Sequence, residues 1–130
     1  MAIKSLINGK STDAVSLYDR GLQYGDGLFE TIAVEDESLL CWDEHLERLQ
    51  SGCSRLKIPI PNQDTLSAES QRLISSVKRG IIKIIITRGQ GGRGYASPVN
   101  IEPTRIISLY PWPEYSFGNS DDGINVRVCN

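Results

Sequence analysis

Asp19-Arg20-Gly21-Leu22-Gln23-Tyr24-Gly25-Asp26-Gly27-Leu28-Phe29-Glu30-Thr31 sets three glycines within seven residues directly before an apolar alternation. Glycine tolerates backbone angles and close approaches that other residues adopt only at a cost. A glycine-ringed loop that runs straight into a strand reads as the wall of a shaped site; the alternative is an ordinary glycine-rich hairpin loop. The strand is expected from Leu28 to Val34. Glu35-Asp36-Glu37-Ser38 makes a polar turn, after which Leu39 to Trp42 pairs back.

Upstream, Ile3 to Ile7 and a segment through Val15 and Leu17 flank Asn8-Gly9, the dipeptide that best accepts positive φ at both turn positions, so the start reads as a hairpin. Downstream, Asp43 reads as the N-cap of a helix to about Lys57, with Leu46, Leu49, Cys53 and Leu56 on one stripe. Pro59 and Pro61 end it. A second helix from about Asp64 to Arg79 turns Leu66, Leu73, Ile74 and Val77 inward, and Gly80 stops it. Ile81 to Thr87 is β-branched almost throughout and is the best central strand. Arg105 to Tyr110 is another strand, Pro111 to Asp122 a polar connection, and Ile124 to Val128 the beginning of a last strand. Hairpin-paired strands with two consecutive helices predict an α+β domain: a largely antiparallel sheet with both helices on one face.

At 130 residues the chain fits one domain, able to bury roughly two-thirds of its unfolded surface. A net charge of −2 argues against a nucleic-acid partner. Cys41, Cys53 and Cys129 are widely spaced and form no zinc set with the single histidine, His45, so no metal is expected and the thiols read as reduced. No run approaches the roughly 18 apolar residues of a membrane span, and Met1 to Ser5 does not open a signal peptide. A cytoplasmic location without membrane contact is the expectation.

Gly89-Gln90-Gly91-Gly92-Arg93-Gly94 fits the GxGxxG pattern and follows a strand, but Tyr95-Ala96-Ser97-Pro98 supplies no helix to hold a pyrophosphate. Arg88 and Arg93 bracket four residues, three of them glycine, so the backbone could fold both guanidiniums onto one anion. Arginine suits a carboxylate because it offers paired parallel donors. Two other readings stay open: a solvated loop with two surface arginines, and Arg88 as a structural ion-pair partner. Arg48 falls off the apolar stripe of its helix and by spacing alone faces solvent. Asp26 and Glu30 are a candidate carboxylate pair, although acids flanking a turn more often serve caps and backbone hydrogen bonds.

Together the glycine run, His45-Leu46-Glu47-Arg48-Leu49 and Ile86 to Tyr95 resemble the fold-type IV pyridoxal-phosphate enzymes, the class IV aminotransferase family, and within it the aminodeoxychorismate lyases most. The resemblance covers the whole chain but only the first half of the family's length. It implies that Arg48 contacts the phosphate of pyridoxal 5′-phosphate, a role suited to a permanent, planar cation. His45 is then a structural hydrogen-bonding residue. It further implies that Arg93 and Tyr95 reach across a homodimer interface to a substrate carboxylate. Phe29 stands where several of the family's aminotransferases carry a tyrosine near the cofactor, a departure that leans toward the lyase.

A pyridoxal-phosphate enzyme needs a lysine to carry the cofactor. Lys4, Lys10, Lys57 and Lys78 lie in a hairpin or at helix ends, and Lys83 lies within the central strand. The resemblance places the Schiff-base lysine on none of them but downstream, in a C-terminal domain that also binds the pyridine nitrogen and much of the phosphate. The expectation is a single domain, 1–130, with no catalytic residue of its own and no turnover alone. The implied parent activity is the lysis of 4-amino-4-deoxychorismate to 4-aminobenzoate and pyruvate, toward folate. Other readings are a fragment of a branched-chain or D-amino-acid aminotransferase and a non-catalytic ligand-binding or dimerisation module.

Overall fold

A computed structural model describes residues 2–114 and 126–129. Six strands run as β1 (Lys4–Ile7), β2 (Lys10–Ser11), β3 (Gly27–Glu35), β4 (Ser38–Leu39), β5 (Arg79–Thr87) and β6 (Thr104–Pro111). They form one sheet in the order β2-β1-β6-β5-β3-β4 with every pair antiparallel. Helices α1 (Arg20–Tyr24), α2 (Trp42–Leu56) and α3 (Gln63–Ile74) complete it. The α+β expectation stands, with α2 packed over β3 and α3 over β6 and β1.

One face of the sheet is the core. Ile82, Ile84 and Ile86 of β5 meet Ile32 and Val34 of β3, Ile107 and Leu109 of β6, and Leu46, Leu49, Cys53, Leu66, Leu73 and Ile74 from the helices. The apolar run of β5 is therefore two-faced. Its intervening residues Ile81, Lys83 and Ile85 lie half-buried on the opposite, helix-free side, where Phe29 of β3 is 60% exposed. Gly52 brings α2 close to β3, since a Cβ there would sit 2.4 Å from Leu28 Cδ1.

Several boundaries differ from the sequence reading. The Asn8-Gly9 turn forms, with φ of 49° and 80°, but β2 ends at Ser11 and the segment to Leu17 is no strand. Trp42 belongs to α2, not to the returning strand, and Cys41 caps that helix in a left-handed conformation without a side-chain bond. Asp43 sits inside the first turn with Glu44, where a negative charge favours the helix dipole. α3 stops at Ile74, with Asn62 as its N-cap accepting from the Thr65 amide at 3.0 Å. Gly80 lies within β5, tight against Tyr110 O, rather than ending a helix. Ile124 and Asn125 of the expected last strand, and most of the connection before it, lie outside the described residues; Val126 to Val128 form no strand.

Candidate functional site

The glycine-rich stretch folds as a five-residue helix that the sequence reading missed. Asp19 caps α1 by accepting from the Gly21 amide at 2.8 Å, and Gly25 closes it in the left-handed conformation, φ 64°. An Asp N-cap six residues before a closing glycine is a legible helix signal. Its shortness hid it among the loop glycines. The Asp19 carboxylate, 1% exposed, also accepts from Thr87 Oγ1 at 3.1 Å and Thr104 Oγ1 at 2.6 Å, fastening α1 to the ends of β5 and β6.

Asp26 follows α1 and accepts from two arginines: Arg20 Nε and Arg88 Nε each lie 2.8 Å from its Oδ2. The Arg88 guanidinium turns its other nitrogens to Lys57 O and Leu56 O at the end of α2, at 3.1 and 2.9 Å. Arg20 reaches Gly94 O and Tyr95 O at 3.0 and 3.3 Å. Hydrogen bonding from Arg88, with Arg20 adding to it against the cost of burial, holds the Asp26 carboxyl below its ordinary value. Arg88 is thus the structural ion-pair partner of the sequence reading. It shares no anion with Arg93, because its guanidinium is buried and bonded on all three nitrogens.

Glu30, on the core face of β3, accepts from Arg48 Nε at 2.8 Å and Nη2 at 2.5 Å. The Nδ1 of His45 lies 2.7 Å from Glu30 Oε2, and an ionised carboxylate only accepts, so Nδ1–H donates. Burial pushes the Glu30 carboxyl up, but the hydrogen bonds from Arg48 and His45 outweigh it and leave it low. Glu30 in turn raises Arg48 above its already high value. Asp26 and Glu30 are accordingly no acid–base pair. Each is the acceptor of a separate cationic cluster, and neither is engaged in capping.

The Arg48 side chain remains 69% exposed although its Nε edge is fixed. Among the described residues Nη1 has no partner. A guanidinium held on one edge and open on the other can meet an anion without first losing its orientation, which suits a phosphate. The phosphate of pyridoxal 5′-phosphate fits this donor.

Arg93 and Tyr95 lie exposed in the loop after β5, Tyr95 at 90% with its ring 5.6 Å from that of Tyr24. Phe29 borders a cavity of about 480 Å³ with Val15, Leu22, Leu28, Ile85 and Ile106, floored by Gly21, Gly25 and Gly27. Lys83 Nζ stands 4.6 Å over the Phe29 ring. Among the described residues, Arg48, Phe29, Arg93 and Tyr95 do not meet around one cavity. Glu30 and Arg48 lie on the helix side of β3, Phe29 on the other side, and of the four only Phe29 borders the cavity. Among the described residues no group of three or more His, Cys, Asp or Glu could hold a metal, and no helix is long and apolar enough to cross a membrane.

Comparison with known proteins adds the family. Residues 27–129 match the amino-transferase class IV family. Over 124 residues the chain is 36% identical to the aminodeoxychorismate lyase of Vibrio harveyi, covering 95% of this chain and 45% of that protein. Among solved structures, 4-amino-4-deoxychorismate lyase from Pseudomonas aeruginosa superposes with a TM-score of 0.78 at 42% identity, over 85% of this chain and 41% of that one. The branched-chain amino acid aminotransferase of Escherichia coli shares the fold at a TM-score of 0.77 and 24% identity, over 86% of this chain and 42% of that one. The chain spans less than half the length of these relatives. With a matching antiparallel sheet and a match over most of its length, the chain belongs to the class IV aminotransferase family.

Proposed function

We propose that this chain forms the N-terminal part of a pyridoxal-phosphate-dependent 4-amino-4-deoxychorismate lyase. In that role Arg48 holds the cofactor phosphate, and Arg93 and Tyr95 meet a substrate carboxylate across a homodimer interface. The observation that carries the reading is the half-bonded guanidinium of Arg48, fixed by buried Glu30 and open to solvent. When bound, the cofactor supplies an electron sink for proton loss at the aminated carbon. The chain's own residues do the holding. Arg48 offsets part of the phosphate charge, Arg93 and Tyr95 orient a carboxylate, and Phe29 keeps the wall apolar and offers no hydroxyl to exchange a proton. The lysine that carries the cofactor belongs to the family's second half.

In a protein spanning both halves, Arg48→Ala should weaken pyridoxal-phosphate affinity at least about tenfold, as loss of a charge-assisted phosphate contact requires, read by absorbance titration. Pyruvate released from 4-amino-4-deoxychorismate without an amino acceptor supports the lyase. A strict need for a 2-oxo acid acceptor replaces it with an aminotransferase. The 130-residue chain treated with pyridoxal phosphate and borohydride should retain no stoichiometric lysine adduct; labelling of Lys83 overturns the assignment of that lysine to the second half.

A further inference from the structure

The segment from Gly89 to Tyr95 carries three glycines before Arg93 and reads from sequence as free to move, yet it is tied down on both sides of Arg93. Before Arg93, Gly89 O accepts from the Arg20 amide at 2.8 Å, Gln90 bridges Asp19, and the Gly91 amide donates to Tyr18 O at 3.3 Å. After it, the Gly94 amide donates to the Tyr24 hydroxyl at 3.0 Å, while Arg20 donates to the carbonyls of Gly94 and Tyr95. Among the described residues only Gly92 and Arg93 have no such tie, and both are exposed.

Arg20 is the one side chain on both arms of this clamp. Its stem passes under Gly91, where a Cβ would come within 2.8 Å of Arg20 Cδ. Its guanidinium lies 4.7 Å over the Tyr24 ring, and Asp26 fixes its Nε edge. The planar fork matters here: one edge takes a carboxylate while the other two nitrogens take carbonyls, a set of directions an ammonium cannot copy. At 3% exposure Arg20 is itself closed to substrate.

We infer that Arg20 is a positioning residue, which with Tyr24 clamps the Gly89–Tyr95 loop so that Arg93 is presented at a fixed crest to a substrate carboxylate. The inference rests on the proposed role of Arg93, and its primary test does not. Tryptic cleavage at the Arg93–Gly94 bond is followed by mass spectrometry in the 130-residue chain. Arg20→Gln should accelerate that cleavage at least about tenfold relative to cleavage elsewhere, the scale set by losing charge-assisted hydrogen bonds in a local opening. Arg20→Lys should rescue it only in part. Tyr24→Phe, which removes one hydroxyl and leaves the Asp26 cluster whole, should give a smaller acceleration and stands in if Arg20→Gln does not fold. Unchanged relative cleavage in folded Arg20→Gln, or in Tyr24→Phe where only that variant folds, overturns the clamp.

In the protein spanning both halves, 4-aminobenzoate is the probe. Arg20→Gln should weaken its binding and raise KM while leaving kcat and pyridoxal-phosphate affinity near those of the parent. Equal losses of 4-aminobenzoate and cofactor affinity would mean general damage and would remove the positioning role. If Arg93→Ala leaves 4-aminobenzoate affinity intact, the carboxylate reading of Arg93 fails, and the clamp is then decided by the cleavage result alone.

Discussion

Asp26 and Glu30 stand four residues apart at the start of one strand, and each gathers two basic side chains, with opposite results. Around Asp26 both guanidiniums are sealed, Arg20 and Arg88 exposing 4% and 8% of their side chains. Around Glu30 the carboxylate is sealed and Arg48 stands outside. Cations in the first cluster hold backbone carbonyls of the loop after β5 and of the end of α2, so that cluster is joinery. The second pins one edge of an arginine and leaves the other open to solvent. Which member of an ion pair is buried, rather than the pair itself, separates a cluster that seals its cations from one that keeps a cation accessible.

The sharpest way to break this contrast is Asp26→Ala. It leaves two buried guanidiniums without a counter-charge and should cost about 3 kcal/mol or more of stability, read from denaturant midpoints. Glu30→Gln should cost less, about 2 kcal/mol, since one exposed cation can return to water. The same variant should weaken pyridoxal-phosphate binding in the protein spanning both halves, because Arg48 loses its orientation.

Acid tests both clusters together. Each carboxyl binds its proton more weakly folded than unfolded, so the stabilisation is fully present above the ordinary carboxylate value of about 4. It is lost as pH falls through the lower folded values. Thermal midpoints should therefore drop on acidification below about pH 4, and Asp26→Ala and Glu30→Gln should each flatten that drop. The smallest stability effect belongs to Arg48→Lys, which keeps a counter-charge beside sealed Glu30 but loses the paired donors, so ligand binding should fall while the thermal midpoint moves little. A large loss of stability there would place Arg48 with the structural cations and erase the distinction.

Much of the fold was legible because its signals are local. The β-branched run from Ile81 to Thr87, the Asn8-Gly9 turn and the helical stripe of Leu46, Leu49 and Cys53 each announce one element. Boundaries went wrong where a weak signal competed with packing. Gly80 reads as a helix stop, but pairing with Val34 and Pro111 draws it into β5. Asp43 reads as a cap, but the left-handed backbone at Cys41 starts the helix one residue before it. Arg48 and Glu30 are 18 residues apart, and Arg20 and Tyr95 are 75 apart, so no periodicity joins them.

By itself the sequence determined the longer strands and helices, the antiparallel class and the residue types around the site, because propensity and alternation act over a few neighbours. Tertiary structure alone decided which arginines are buried and which remain free. Solvation and partner geometry fix that choice, and both come from residues that meet only when the sheet closes.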